Sequence, residues 1–413
     1  MSATSGIPTN EGTALKILVV CQYYYPEQFR INEVCQELVR RGHEVTVLTG
    51  QPNYPAGEIF PGYENRFTET HNGVRILRCK IRPRKQGAVN LARNYLSFLL
   101  SANRAVKRLE HDFDVIYVYQ LSPVTMAVPA LKFKKKTGLP LYLYCLDLWP
   151  DSIRDVLPST KSPIYRLMRA WCVKIYNGAD HIGVTSPPFR EYLHEVCRVP
   201  MEKLSYLPQH GEDMMLSGDL TARDNGCTDI VFLGNVGAAQ DLETVARAVS
   251  RMRTDKPFCI HIVGIGSALE SLKACVQELG VQEHFQFHGR HPITEMPDFY
   301  RLADACLLTL YSDNAAGSTI PGKLQGYMSA GKPVIAAING AAAQVIREAD
   351  CGICVSSGDA EGLAEALTDF IEHPERYSHC GGSGRRYFEE HFSLDIFVTS
   401  LEKRLEELRT CEF

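Results

Sequence analysis

DIVFLGNVGAAQDLETVARAVSRM, residues 229–252, reads as a strand (Asp229–Leu233), a glycine turn (Gly234-Asn235-Val236-Gly237) and an apolar pattern at helical spacing from Leu242 to Met252. The strand Phe258–Val263 follows, with its own turn (Gly264-Ile265-Gly266) and a second helical pattern over Leu269–Leu279. A strand, a crossover helix and another strand make a βαβ unit, whose strands run parallel. The alternation continues through Phe285–His288, Ala305–Leu310, Pro333–Ala336 and Gly352–Val355, with a helix over Leu363–Ile371.

The first half repeats this design with strands at Lys16–Cys21, Glu44–Thr49, Arg75–Cys79, Asp114–Tyr119, Pro140–Tyr144 and His181–Thr185. Between the first two, Ile31, Val34, Cys35, Leu38 and Val39 recur at helical spacing and Gly42 stops the helix. Such alternation predicts an α/β protein of two Rossmann-like doubly wound domains. Residues 1–14 read as a disordered tail, 15–212 as the first domain, 213–228 as a linker without periodicity, and 229–385 as the second domain.

Composition narrows the function classes. With 45% apolar and 22% charged residues among 413, the chain is an ordinary globular protein. A net charge of −4 argues against a general nucleic-acid binder. No apolar run approaches the ~18 residues of a membrane span. The start lacks the basic and apolar regions of an export signal, so a cytoplasmic, reducing location is expected and the 14 cysteines imply no disulfides. Cys351 and Cys354 form a CxxC, but no further ligand pair lies nearby, and GICV reads as a buried strand.

Ligands of open α/β sheets bind beyond the carboxyl ends of the strands. The first such turn, Gln22–Arg30, contains no glycine, which argues against a nicotinamide or flavin fingerprint. Gly264 and Gly266 form a partial one, with Leu269 in place of the third glycine. Gly317 to Lys323 fits the first seven positions of a phosphate-binding loop, then fails at Leu324, where a magnesium-binding hydroxyl is required. Pro321 removes a further N–H. What remains is either an anion site at a helix N-terminus with Lys323 beside it and no obvious metal, or a solvated lysine on an ordinary helix. The turn Gly234–Gly237 lets backbone approach a ligand, or is simply a tight turn. In DLWPDS, Asp147 and Asp151 can orient a sugar or act as acid and base, or Asp151 caps the next helix. His210, in Pro208–Gly211, is either a ligand-facing or a satisfied loop residue.

Residues 75–109 contain ten Lys or Arg and no acidic residue, and Lys132 with Lys134–Lys136 follows in the same domain. Within this run Leu91, Tyr95, Phe98 and Ala102 share one helical face while Arg93, Ser97, Arg104 and Arg108 share another. The asymmetry points to an anionic membrane surface as a partner, through peripheral attraction.

Taken together, RRGHEVTVLTGQPNYPAG (40–57), DLWPDS (147–152), FLGNVGAAQDLETV (232–245) and PGKLQGYMSAGKPVI (321–335) resemble glycosyltransferase family 4 over nearly the whole chain, in particular the bacterial branch with L-fucosamine transferases of O-antigen and capsule assembly. The resemblance implies a GT-B fold with a cleft between the domains and a C-terminal helix (386–413) crossing back to the first. It implies metal-independent, retaining transfer from a nucleotide-sugar, UDP-linked in that branch, to a glycan or lipid-linked acceptor in cell-surface polysaccharide biosynthesis, without a cofactor. Catalytic expectations fall on Lys323 at the diphosphate, Asp147 at sugar hydroxyls, and Arg30 assisting the diphosphate. Nucleotide-sugar contacts are expected from Gly234, Asn235, Gly237, Gln240, Gly264, Gly266, Arg290, Ser318, Thr319, Gly322, Lys323 and Gln325, and acceptor contacts from Glu27, Asp151 and His210. Three family features are replaced, one of them the glycine-rich acceptor loop, where this chain has Glu27–Arg30. The paired Glu positions correspond to Ser318 and Gly326, and the Arg and Lys of the first second-domain loop to Asn235 and Gln240. A non-hydrolysing nucleotide-sugar epimerase and a catalytically silent scaffold remain open alternatives.

Overall fold

Both halves of the chain spell their strands as nearly unbroken apolar runs, the pattern of parallel strands covered by helices on both faces. The computed structural model describes residues 14–152, 162–216, 218–222, 225–311 and 320–410. The expected tail lies, Ala14 apart, outside them. One unit is built from residues up to 185, 189–207 and 398 onward, the other from 186–188 and 208–397.

The first unit runs β1 (Lys16–Val20), α1 (Ile31–Arg40), β2 (Glu44–Gly50), β3 (Thr68–His71), β4 (Val74–Cys79), α2 (Ala88–Ala105), β5 (Val115–Gln120), α3 (Val128–Thr137), β6 (Leu141–Cys145), α4 (Pro163–Asn177), β7 (His181–Val184), α5 (Pro187–Glu195) and β8 (Leu204–Tyr206). Its sheet order is β3-β4-β2-β1-β5-β6-β7-β8, parallel except for β3. Helix α1 turns Ile31, Val34, Cys35 and Leu38 inward and stops at Gly42, whose φ of +97° suits glycine. Strands β3 and β8 were not expected. The first is a polar edge strand, joined to β4 through Asn72 and Gly73 with φ of 47° and 80°, the left-handed pair of a type I′ hairpin turn.

The second unit runs β9 (Thr228–Leu233), α6 (Leu242–Val249), β10 (Phe258–Val263), α7 (Leu269–Glu278), β11 (Phe285–Gly289), α8 (Met296–Leu302), β12 (Ala305–Thr309), α9 (Gly322–Ser329), β13 (Val334–Ala337), α10 (Gly340–Glu348), β14 (Gly352–Val355), α11 (Ala360–Glu372) and α12 (Cys380–His391). All its strands are parallel, in the order β11-β10-β9-β12-β13-β14. Alternate residues serve opposite faces. Ile230 and Phe232 join Val245, Ile260 and Leu367 in one core, while Val231 and Leu233 join Leu308, Leu324 and Phe388 in the other. The stretch read as a linker carries Met215 and Leu220, both buried in that second core. Cys351 and Cys354 sit against backbone carbonyls of Ile346 and Ile338, and every cysteine among the described residues is free.

The C-terminal helix expected over 386–413 is two helices, α12 and α13 (Leu394–Thr410). From Val398 onward α13 belongs to the first unit. Its Leu401 and Leu405 are fully buried. Its Glu402 accepts from Arg41 Nη1 at 2.6 Å and meets His43 Nε2 at 2.9 Å, at the end of α1.

Candidate active site

In the second unit the strand order reverses between β9 and β12, the place where open α/β sheets bind ligands. These strands share only the pairs Ala305↔Ile230 and Cys306↔Val231. Tyr327 of α9 bridges them further along: its hydroxyl accepts from Leu233 N–H (3.2 Å) and donates to the Leu307 carbonyl (3.1 Å). That bond pins α9, and with it Lys323, to the reversal point.

Three segments meet there. The turn after β10 lies on the turn after β9, with Val236 N–H donating to Ile265 O (3.0 Å) and Ala268 N–H to Val236 O (3.0 Å). A Cβ on Gly264 would stand 1.8 Å from the Gly234 carbonyl oxygen, and one on Gly266 2.1 Å from that of Val236. The partial GxG motif is therefore a stacking of loop upon loop. Gln240 ties the first turn to itself: its Oε1 accepts from Gly237 N–H at 3.0 Å and lies 3.4 Å from Asn235 Nδ2. Its carbonyl also accepts from the Thr309 hydroxyl on β12.

Lys323 enters as the second residue of α9. Its Nζ lies 4.3 Å from the Phe232 ring centroid, and its stem fills the space that a side chain at Gly234 would take, with Cε 2.6 Å from the position of such a Cβ. Burial pushes its pKa down to about 8. Burial is the sole cause of that shift, and among the described residues no carboxylate pairs with it. A half-desolvated ammonium facing a ring and two glycine turns is a cation set to receive an anion. Leu324, where a magnesium-binding hydroxyl would be needed, is wholly buried.

The other expected contacts divide. Gly234, Asn235, Gly237, Gly264, Gly266 and Gly322 gather around Lys323 or the turns beside it. Arg290 is exposed and follows Gly289, the register partner of Val263, at the same sheet end. Ser318 and Thr319 lie outside the described residues. Gln325 departs from its expected role: it is 2% exposed and its amide donates to the Gln209 carbonyl. His210 is likewise buried, packed on Phe397 with ring centroids 5.2 Å apart, and so belongs to the interior of this unit. Phe232 and Tyr327 were missed, because an aromatic residue in a strand or on an apolar helix face reads as core.

In the first unit, the Asp147 carboxylate accepts from the hydroxyls of Ser122 and Ser152 and from Trp149 Nε1 (3.0 Å). The loop after β6 is organised around it, so its part is to position that loop. Asp147→Asn places an amide N–H against those donors, and a stability loss of about 1–3 kcal/mol is expected. Chemical denaturation checks this; unchanged stability with lost turnover would return the carboxylate to the substrate. Asp151 is half-buried in the turn that follows. Glu27 is also corrected from an acceptor contact. It is 2% exposed, its carboxyl accepting from the backbone N–H groups of Asn53 (2.8 Å), Tyr54 (2.7 Å) and Tyr24 (3.3 Å), while burial raises its pKa to about 7. Three loop donors needed a partner, and Glu27 supplies it. Arg30 stands at the N-terminus of α1, half-buried.

Fold and site define a GT-B enzyme. The model for the group 1 glycosyl transferases matches residues 221–387, and the glycosyl transferase 4-like domain matches residues 28–210. The chain belongs to glycosyltransferase family 4. It is 25% identical over 340 residues to a protein named for colanic acid biosynthesis, the glycosyl transferase WcaI of Escherichia coli (strain K12), covering 77% of this chain and 82% of that one. It is 28% identical over 305 residues to the GDP-mannose-dependent alpha-(1-6)-phosphatidylinositol monomannoside mannosyltransferase of Mycolicibacterium smegmatis, covering 70% and 75%. Sucrose-phosphate synthase from Thermosynechococcus elongatus superposes with a TM-score of 0.73 at 15% identity, over 95% of this chain and 98% of that one.

Proposed function

We propose that this glycosyltransferase moves a sugar, with retention of configuration, from a nucleoside diphosphate donor to a glycan or lipid-linked acceptor in surface polysaccharide or glycolipid synthesis. The carrying observation is Lys323. Its ammonium, desolvated over Phe232 and unpaired with any carboxylate among the described residues, suits a diphosphate leaving group at the start of α9. The departing diphosphate is stabilised by this cation and the α9 amides, with no divalent metal required. A uridine nucleotide follows from the family-branch resemblance. A guanosine nucleotide is the second reading, favoured by the named donor of the mycobacterial relative.

A thermal-shift screen with UDP, GDP, ADP and dTDP, each with magnesium or EDTA, tests this. A shift with one nucleoside diphosphate, insensitive to EDTA and lost in Lys323→Ala, supports the reading and chooses the base. A shift only with magnesium, or one unchanged in Lys323→Ala, overturns it.

The acceptor reading extends to an anionic membrane surface. No helix among the described residues is long and apolar enough to cross a membrane. Helix α2 turns Phe98, Leu99 and Ala102 inward, yet leaves Val89, Leu96 and Leu100 exposed beside Arg93 and Arg104. Lys136 of α3 reaches the Lys107 carbonyl, which joins the two basic clusters. Helix α4 adds exposed Ile164, Leu167 and Trp171, and both α2 and α4 pack on the turn Val124–Ala127. Paired Leu96→Ser and Leu100→Ser substitutions are expected to cut sedimentation with phosphatidylglycerol vesicles about tenfold or more. Equal sedimentation of the variant would remove this surface from the proposal.

A further inference from the structure

A second cluster, in the second unit, is unused by the transfer site. An oxygen of Asp229, the Sγ of Cys259 and a ring nitrogen of His261 all lie within 4.8 Å of one another. The three residues are between 3% and 8% exposed. The register explains their meeting: Cys259 is the β10 partner of Asp229 on β9, and His261 follows two residues on, on the same face. Asp229 Oδ1 and His261 Nε2 are 2.8 Å apart. Behind them stand outer partners. Asn225 Nδ2 donates to the other Asp229 oxygen at 2.7 Å, and His261 Nδ1 meets His288 Nε2, on β11, at 3.0 Å.

A buried Asp–His pair satisfies itself. It does not account for a thiol at the same point, nor for a second imidazole aligned on the far ring nitrogen. Both are what a metal site needs: a soft anionic ligand, and a hydrogen-bond partner that fixes the tautomer of the ligating imidazole. We propose that Asp229, Cys259 and His261 bind one divalent cation of the zinc class, with water as fourth ligand. Bonds of about 2.0–2.3 Å separate tetrahedral ligands by roughly 3.3–3.8 Å, so on binding the Asp229–His261 pair opens from 2.8 Å and any wider pair closes from at most 4.8 Å.

The protons balance. The Cys259 thiol gives up its proton, so the thiolate and the Asp229 carboxylate together neutralise the cation. The proton on His261 Nε2 leaves as the metal takes that lone pair. His261 Nδ1 receives the proton of His288 Nε2 and donates back to it, and His288 Nδ1 is reprotonated from solvent. One proton is released per ion. Asp229 lies five residues before Gly234, roughly 16 Å along the strand, so the ion joins β9 to β10 away from Lys323 and acts on stability rather than transfer.

The test uses the full chain after chelator treatment, titrated with Co2+ and then Zn2+. One equivalent of Co2+ is expected to give a thiolate-to-metal charge-transfer band in the near ultraviolet, displaced by Zn2+. Cys259→Ser is expected to lose the band and at least 100-fold in affinity. Zn2+ is expected to raise the thermal midpoint of the wild-type chain by about 5 °C or more, with UDP or GDP binding unchanged. A wild-type titration without the band overturns the site whatever the variants do. A band that persists in a folded Cys259→Ser or Cys259→Ala chain places the ion elsewhere and also overturns it.

Discussion

Lys323→Met is expected to lower turnover by about 100-fold, roughly 2.7 kcal/mol of transition-state stabilisation, while raising the thermal midpoint of the ligand-free protein. The two effects have one cause. The ammonium is held in a half-buried place, where its pKa falls to about 8 from the ordinary 10.5. The folded chain therefore binds fewer protons than the unfolded chain between about pH 8 and 10.5, and the stability contributed by this group rises with pH across that window. At pH 7 the charge is a cost to folding, partly offset by the Phe232 ring. Methionine fills the same volume without charge, and a rise of about 2–4 °C in midpoint corresponds to relief of about 1 kcal/mol. Nucleoside diphosphate affinity in the wild type is expected to weaken by up to about tenfold per unit above pH 8, as Lys323 loses its charge. A variant both less stable and fully active would assign Lys323 to packing.

Gly264→Ala is expected to be the most damaging single-methyl change in the second unit. Its φ of +148° disfavours any side chain, and the new Cβ would meet a backbone oxygen 1.8 Å away. Either the β10 turn or the β9 turn must move, and the latter carries Gly234 and the stem contact of Lys323. A loss of about 3 kcal/mol or more and a fall in turnover beyond tenfold are expected. Gly280→Ala is the control: φ is +69° but nothing lies within 4 Å, so only the left-handed penalty of about 1–2 kcal/mol applies. Equal losses from the two substitutions would mean that loop stacking is not what Gly264 provides.

The long apolar strands were legible because both their faces are covered, and the helices between them because their stripes point at a sheet. Strand β3 escaped because THR-GLU-THR-HIS residues on an edge carry no apolar signal, although Asn72-Gly73 marks its hairpin. At the site, glycine turns and a helix-start lysine could be read from chain order alone. Direction could not. Glu27, His210 and Gln325 are polar residues beyond strand ends or on a helix, and each turns inward to serve backbone groups or packing that the sequence does not display. Asn235 and Gln240 illustrate the reverse: positions that depart from the family pattern form an amide pairing that shapes the turn.

The return of α13 to the first unit also bears on the order of events during synthesis. Val398, Leu401, Leu405 and Leu408 are buried there, yet they leave the ribosome only after every strand of the second unit. The half of the protein translated first is thus completed last, and a nascent chain paused before residue 398 would present an unfinished apolar seam to chaperones while the later half is already able to fold.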